Sequence, residues 1–239
     1  MQVSLTIIRY PKVFIPFAFI AMAIHRLPLW LNQKIGFYKL MGCGKNGTFD
    51  KKPDLQQWAI LTTRAETVAD GPNTNVVKLL HGSFIWGWLH FFNCETFTIL
   101  LAPFEGHGLW DGKKVFGEFR EKSAYNGLMA TLTRATIRIN KLKYFWENVA
   151  PVAAKMSQAK GFISSVGIGE VPWIKQATFS IWETTTDMKA FAYGMKEHAD
   201  VIKKTRQQNW YTEEMFVRFK ITGYHGTIKG INPLQDRLL

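Results

Sequence analysis

Apolar and polar positions follow the same order of elements in both halves of this chain, most clearly in the second. Runs rich in Thr, Ile, Val and Phe, with Gly at the breaks, predict strands near 130–138, 162–168, 177–184 and 214–222. Apolar residues at three- and four-residue spacing predict helices near 141–157 and 186–207. This βαββαβ order is the ferredoxin-like split motif, an antiparallel sheet with helices on one face.

The first half carries a degenerate copy of this pattern. Its segments match segments of the second half in the same order: 4–9 with 133–138, 39–44 with 164–169, 91–97 with 210–216, and 106–108 with 224–226. We therefore predict an α+β chain of two ferredoxin-like βαββαβ repeats, over 1–105 and 129–239, joined by a connection at 106–128. Each sheet leaves one face uncovered, so the two should pack as a dimeric α+β barrel-type architecture.

One histidine lies on the apolar stripe of the helix predicted over 186–207. His198 follows Met195 by three residues and precedes Ile202 by four, so it faces the packed side. It is either a hydrogen-bonded core histidine or a ligand of a metal or haem iron, for which neutral imidazole is a common donor. The matching position of the first half is Leu79, so a single site in the second half is expected.

Further candidates come from the predicted strands of the second half. Arg134 and Arg138 are four residues apart and are expected on one face of their strand. That face is either a solvent-facing edge or the wall of a pocket, where Arg134 could hold a haem propionate or polarise bound oxygen and Arg138 would contact the cofactor. Ser164 and Ser165 precede a glycine break and are further catalytic candidates for such a pocket. His107 and His225, beside glycines, are expected to be structural or exposed.

Composition and charge narrow the class of partner. Hydrophobic residues make up 47% of the chain, and 9 Trp with 18 Phe indicate either a thick core or a pocket for a large apolar ligand. The net charge of +12 is typical of proteins that meet nucleic acid, anionic membranes or acidic partners. No nucleic-acid module is recognisable, so nucleic acid is not expected. The scattered basic residues form either solvated helix faces or a docking face for a membrane or an acidic redox protein.

The amino-terminal segment and the cysteines bear on localisation. Arg9 and Lys12 precede an apolar run over 13–24 that has some features of a signal peptide, but the repeat makes this segment part of the fold. Cys43 and Cys94 lack metal-binding spacing and favour a reducing compartment. We expect a cytoplasmic protein, with peripheral contact at the inner face of the membrane.

Several long stretches resemble the spheroidene monooxygenase family, and the resemblance covers nearly the whole chain. They are 26–30 (RLPLW), 37–47 (FYKLMGCGKNG), 132–138 (LTRATIR), 167–170 (GIGE) continuing to 176–180 (QATFS), and 209–216 (NWYTEEMF) followed by Arg218-Phe219.

The resemblance implies a haem-dependent carotenoid oxygenase that introduces a keto group at C-2 of an acyclic carotenoid, using dioxygen and reduced ferredoxin. It also implies kinship with haem proteins of the dimeric α+β barrel class, in which a helix-borne histidine of the C-terminal half binds iron. His198 is the position here that fits that description. Two other functions stay open: a barrel that binds haem or an apolar ligand without turnover, and a haem lyase or dehydratase acting on nitrogen compounds.

Overall fold

The chain forms two compact units. The computed structural model describes residues 1–45, 47, 51–67, 75–119, 121, 123–194, 204–205 and 207–237, with only the backbone of 149–154. Unit 1 contains Met1–Cys43, Asp54–Pro103 and Ile221–Leu239, and unit 2 contains Gly44–Pro53 and Phe104–Lys220. The units thus include ends of strands from both halves of the sequence, and the predicted division into 1–105, 106–128 and 129–239 stays a prediction.

The described part of unit 1 is built on β1 (Gln2–Arg9), α1 (Ile15–Ile24), α2 (Arg26–Leu31), β2 (Phe37–Gly44), β3 (Pro53–Arg64), α3 (Val76–His81), α4 (Ser83–Phe91) and β4 (Glu95–Gly108). The end of β4, from Phe104 on, belongs to unit 2. Within unit 1, β1 lies between β3 and β4 and runs antiparallel to both, with Thr6 opposite Ile60 and Thr98. β1 is buried along nearly its whole length, which suits its run of apolar and β-branched residues.

Local signals place the helices of unit 1. Pro16 lies in the first turn of α1, where its missing N–H costs no hydrogen bond. Asn75 caps α3, and its side-chain oxygen accepts a hydrogen bond from the Lys78 amide at 3.0 Å.

Unit 2 is built on β5 (Met129–Ile137), α5 (Leu142–Met156), β6 (Phe162–Val171), β7 (Lys175–Trp182), α6 (Thr185–Gly194) and β8 (Tyr211–Gly226), which begins in unit 2 and ends in unit 1. Here β5 lies between β7 and β8, and β6 pairs with the other edge of β7, all antiparallel. A capping interaction starts α6: the Thr184 hydroxyl accepts from the Asp187 amide at 3.0 Å and donates to its carboxylate at 2.5 Å.

The fold-class prediction is confirmed for the α+β class, for the antiparallel pairing and for the βαββαβ order in each half. The strands predicted for the second half agree with β5 to β8 within a few residues, and the helix predicted over 141–157 is α5. The helix predicted over 186–207 is confirmed as α6 up to Gly194. Its continuation over 195–203 lies outside the described residues, and the internal duplication stays a prediction.

Candidate functional site

The strand register of unit 2 defines which side chains of its sheet share a side. Thr133 on β5 lies opposite Thr178 on β7 and Phe216 on β8, and Thr178 lies opposite Gly167 on β6. Directly opposite residues of an antiparallel pair point to the same side, and successive residues of a strand alternate. These four residues therefore form one row across the sheet.

This side of the sheet faces helices α5 and α6. One apolar cluster, at the beginning of β5, joins sheet residues to both helices: Met129, Met156, Trp182, Met188 and Phe191. A second cluster, at the end of β5, joins the sheet to the beginning of α5: Ala135, Ile137, Phe145, Trp146 and Trp210. The row through Thr133 lies between the two clusters.

Thr133 is solvent-exposed although it lies in the middle of an interior strand. A side chain on the helix-facing side of a strand paired along both edges is normally covered by packing. Its neighbours in the row are small or polar, apart from Phe216. The helix-facing side of unit 2 thus has an opening between its two apolar clusters.

Hydroxyl groups line this opening. We call the set Thr131, Thr133, Ser165, Thr178 and Ser180 the hydroxyl face, because the register puts all five on the helix-facing side. The Oγ1 atoms of Thr131 and Thr178 are buried and have no hydrogen-bond partner among the described residues. An unsatisfied buried polar atom costs about 1–3 kcal/mol, so these atoms suit a bound polar group.

A charged pair borders the hydroxyl face. Arg218, opposite Thr131, is 3% exposed and donates to a Glu105 carboxylate oxygen at 2.5 Å. Its guanidinium lies 5.0 Å from the centre of the Phe216 ring, and the exposed His107 ring stacks on Phe216 at 5.7 Å. An opening that lies between apolar clusters and is edged by a buried cation suits a flat ligand that carries an anionic group.

Arg134 lies on the other side of β5. It pairs with Ala177 and Met215 and is 1% exposed. One terminal nitrogen donates to Glu213, the other lies 3.4 Å from both Asp111 and Glu170, and the guanidinium covers the Trp110 ring at 5.1 Å. Its side chain is therefore neither at a solvent-facing edge nor on the hydroxyl face, and its catalytic role stays a prediction.

The network around Arg134 favours the ionised form of the Glu213 carboxyl group. Burial raises the pKa of its carboxyl group, but hydrogen bonds from the Gly112 and Asp111 amides and from Arg134 outweigh burial and hold the pKa below its usual range. Arg134 is thus compensated by a carboxylate that stays ionised.

The structure separates the other predicted site residues. Ser165 lies opposite Ser180 on the hydroxyl face, whereas Ser164 lies opposite Ile181 and points to the other side. Arg138 follows the end of β5, beyond a register shift between Thr136 and Ile137, so strand alternation does not relate it to Arg134. Its Nε atom is buried without a partner among the described residues.

The predicted ligand helix is only partly described. Met188 and Phe191 pack in the first apolar cluster, as the predicted stripe requires. His198, Met195 and Ile202 lie outside the described residues, so their roles stay predictions. Within the part of the chain that is described, no group of three or more His, Cys, Asp or Glu side chains could hold a metal ion.

Sequence reasoning missed Arg218 and the threonines of the hydroxyl face. A signal for Arg218 was available, because a single arginine interrupts the apolar run Met215-Phe216-Val217 and Phe219. A threonine in a strand carries no comparable signal, because threonine favours strands for conformational reasons alone.

Comparison with known proteins decides the family. A spheroidene monooxygenase of Rhodobacter capsulatus is 33% identical over 227 residues, which cover 94% of this chain and 91% of that protein. The chain belongs to the spheroidene monooxygenase family. A second spheroidene monooxygenase, from Cereibacter sphaeroides, is 32% identical over 224 residues, which cover 91% of this chain and 65% of that protein. This family membership makes the chain a monooxygenase and therefore an oxidoreductase.

Solved structures agree at the level of the fold. An aldoxime dehydratase crystallised with butyraldoxime has a TM-score of 0.60 at 8% identity, covering 99% of this chain and 85% of that protein. No family model matches the sequence. The likeness to the dehydratase describes the fold alone, so chemistry must be argued from the family and from the residues of the site.

Proposed function

We propose that this monooxygenase oxidises an acyclic, spheroidene-like carotenoid in a haem-dependent reaction with dioxygen and reduced ferredoxin. The supporting observation is the opening in unit 2, where the hydroxyl face lies between two helix-borne apolar clusters and leaves Thr133 exposed. The names of its relatives in Rhodobacter capsulatus and Cereibacter sphaeroides support a carotenoid substrate.

The residues around the opening fit a haem. The row through Gly167, Thr178 and Thr133 has little side-chain bulk, so a flat macrocycle can lie against the sheet. Arg218 has a buried Nε without a partner among the described residues, which suits the binding of a propionate. Arg138 stays a cofactor-binding candidate from the sequence. From the resemblance to the family, His198 would hold the haem iron, and Met195 and Ile202 of the same apolar stripe would contact the haem.

Haem, when bound, supplies the redox chemistry that activates dioxygen. The protein would contribute position and hydrogen bonds. The Ser165 and Thr178 hydroxyls could each donate a hydrogen bond to a polar group of the ligand, and the two apolar clusters border the opening on both sides. Arg134 stays a catalytic candidate that would act from the opposite side of β5.

The proposed conversion is a ketolation at C-2 by two hydroxylations of the same carbon. Each hydroxylation takes one dioxygen, two electrons and two protons, replaces a C–H bond by C–OH and releases one water. The resulting gem-diol loses water to give the ketone. Reduced ferredoxin supplies the electrons, and the positive net charge of the chain suits contact with an acidic donor protein.

The test combines pigment analysis with haem loading. Expressed in a host that accumulates acyclic carotenoids, the chain should convert them to keto derivatives, and the purified protein should show a Soret band. His198→Ala should lose both, whereas His90→Ala, at an exposed position on α4 of unit 1, should keep both. Parent protein without a Soret band after reconstitution with haem would refute the cofactor, and haem binding without any oxidised pigment would favour a binding protein.

A further inference from the structure

The helical segment of residues 12–31 presents large apolar side chains to solvent. Its length and composition would allow it to cross a membrane, yet only 22% of its most apolar stretch of 18 residues is buried. The exposed side chains recur at helical spacing along α1, α2 and the turn before them: Val13, Phe19, Ile20, Leu27, Trp30 and Leu31. Exposed apolar surface of this extent marks an interaction site.

Helix α4 extends this surface. Phe84 and Phe91 are 54% and 79% exposed. The Phe84 ring lies 6.2 Å from that of His25 between α1 and α2. The Phe91 ring lies 4.9 Å from that of Phe92, which lies 4.6 Å from that of Phe17. We call the exposed apolar residues of α1, α2 and α4, with Val13, the apolar patch.

The segment lies on unit 1 and is fixed there. Ala18, Ala21 and Leu29 pack into the apolar core of the unit, together with Ile85 and Leu89 of α4. Packing on one side and exposure on the other side are typical of a helix that lies in an interface plane, not of one that spans a bilayer.

The charges of the chain segment that carries α1 and α2 have one sign. Residues 1–49 contain no Asp or Glu and six basic residues. Three of these, Lys12, Arg26 and Lys34, are exposed at or beside α1 and α2. A bilayer with anionic headgroups offers both an apolar layer for the patch and negative charge for these cations, and each cation near such a surface contributes about 1 kcal/mol.

We propose that the apolar patch docks unit 1 on the surface of an anionic lipid bilayer, with α1 and α2 lying in the headgroup region. The docking rests on the proposed function, because it would give the enzyme access to a long polyene substrate that dissolves in the bilayer. Trp30 at the end of α2 suits the boundary between headgroups and acyl chains.

Sedimentation of the full chain with lipid vesicles tests the proposal. Vesicles containing phosphatidylglycerol should bind it, and pure phosphatidylcholine vesicles should bind it more weakly. The double variant Leu27→Glu/Leu31→Glu should lower partitioning by roughly 100-fold, because two apolar contacts are replaced by charges that anionic lipid repels. Ile139→Glu, at a position 76% exposed in unit 2, is the matched control and should bind like the parent.

The basic residues have their own test. The triple variant Lys12→Gln/Arg26→Gln/Lys34→Gln should lose roughly 100-fold in binding to anionic vesicles and little in binding to neutral ones. Both multiple variants should keep the denaturation midpoint of the parent protein, because the substituted positions are exposed.

Two results would overturn the proposal. One is vesicle binding by Leu27→Glu/Leu31→Glu that equals the parent. The other is a parent protein that ignores vesicles but sediments as a dimer, with the double variant monomeric, which would assign the patch to a second copy of the chain. Turnover of detergent-dissolved carotenoid separates the two ideas: activity without lipid binding refutes only the docking, and lipid binding without activity refutes only the proposed function.

Discussion

The helix-facing sides of the two sheets differ most at the middle of their interior strands. In unit 1, Thr6 of β1 is fully buried, and its hydroxyl lies 2.8 Å from His81 Nε2 and 3.0 Å from Thr98 Oγ1. In unit 2, Thr133 of β5 is exposed. The same βαββαβ order thus buries the central threonine of one sheet and leaves that of the other exposed. The covering of the helix-facing side is therefore decided by the side chains of the helices and not by the order of the elements.

Replacing each of these two threonines by phenylalanine is expected to have the largest effect. Thr6→Phe enlarges a fully buried side chain and removes two hydrogen bonds, so it should lower the free energy of unfolding by about 4 kcal/mol. Thr133→Phe fills an opening, so it should leave the denaturation midpoint unchanged and abolish haem loading, measured by Soret absorbance. Normal loading of Thr133→Phe would contradict the assignment of the opening as the haem site.

Arg134 tests whether the opening is confined to one side of the sheet. Arg134→Gln should lower the free energy of unfolding by about 3 kcal/mol, because Glu213, Asp111 and Glu170 lose a buried cation. If Arg134 acts only through this network, a folded Arg134→Gln should load haem like the parent. A variant of parental stability that lacks turnover would instead support its predicted catalytic role.

Two buried histidines of unit 1 predict sensitivity to acid. Burial lowers the pKa of His81 to about 3, with further lowering by His25 and Arg64, and burial lowers that of His25 to about 4. Both rings are neutral when folded, so the unfolded chain binds more protons below its own pKa of about 6.5, and stability falls as pH falls. Between about pH 7.5 and about pH 5.5 each ring should account for about 1.4 kcal/mol of that loss.

Denaturation at both pH values checks this. His81→Gln should remove its share of the pH dependence, whatever its stability at the higher pH. An undiminished slope would show that His81 is protonated in the folded protein.

The smallest expected effect is a difference in kcat/KM between substitutions of two neighbouring serines, Ser165 and Ser164. Ser165→Ala removes a hydroxyl from the hydroxyl face and should lower kcat/KM by up to roughly 10-fold, the effect of one neutral hydrogen bond. Ser164→Ala, on the other side of the sheet, should match the parent. Equal effects of the two substitutions would argue against the register-based assignment of sides.

Much of unit 2 could be predicted from sequence, and the reason is local. β5 is rich in threonine, β8 ends at Gly226, and the capping pair Thr184 and Asp187 marks the start of α6. The sides of β5 could not be assigned, because its residues are largely buried on both sides and apolar alternation is lost.

The candidate site was predictable only in part. Ser165 was identified from its position before a glycine break, but the opening depends on which helices cover the sheet, and that is a tertiary property. The same limit applies to His81. In the sequence it is a histidine close to an aromatic run, and its complete burial could not be predicted from that position. Arg218 carried a local signal, as a single arginine within an apolar run, but that signal does not show which side chains would cover it.

The carboxylate partners of Arg134 have a consequence for the order of folding during synthesis. They lie 23, 36 and 79 residues away along the chain. Contacts across such separations form late, because long loops must close first. While β8 is still inside the ribosome, Arg134 lacks the carboxylate of Glu213. Nascent chains halted before β8 should therefore leave β5 open to protease, and release of that final strand should complete the unit in one cooperative step.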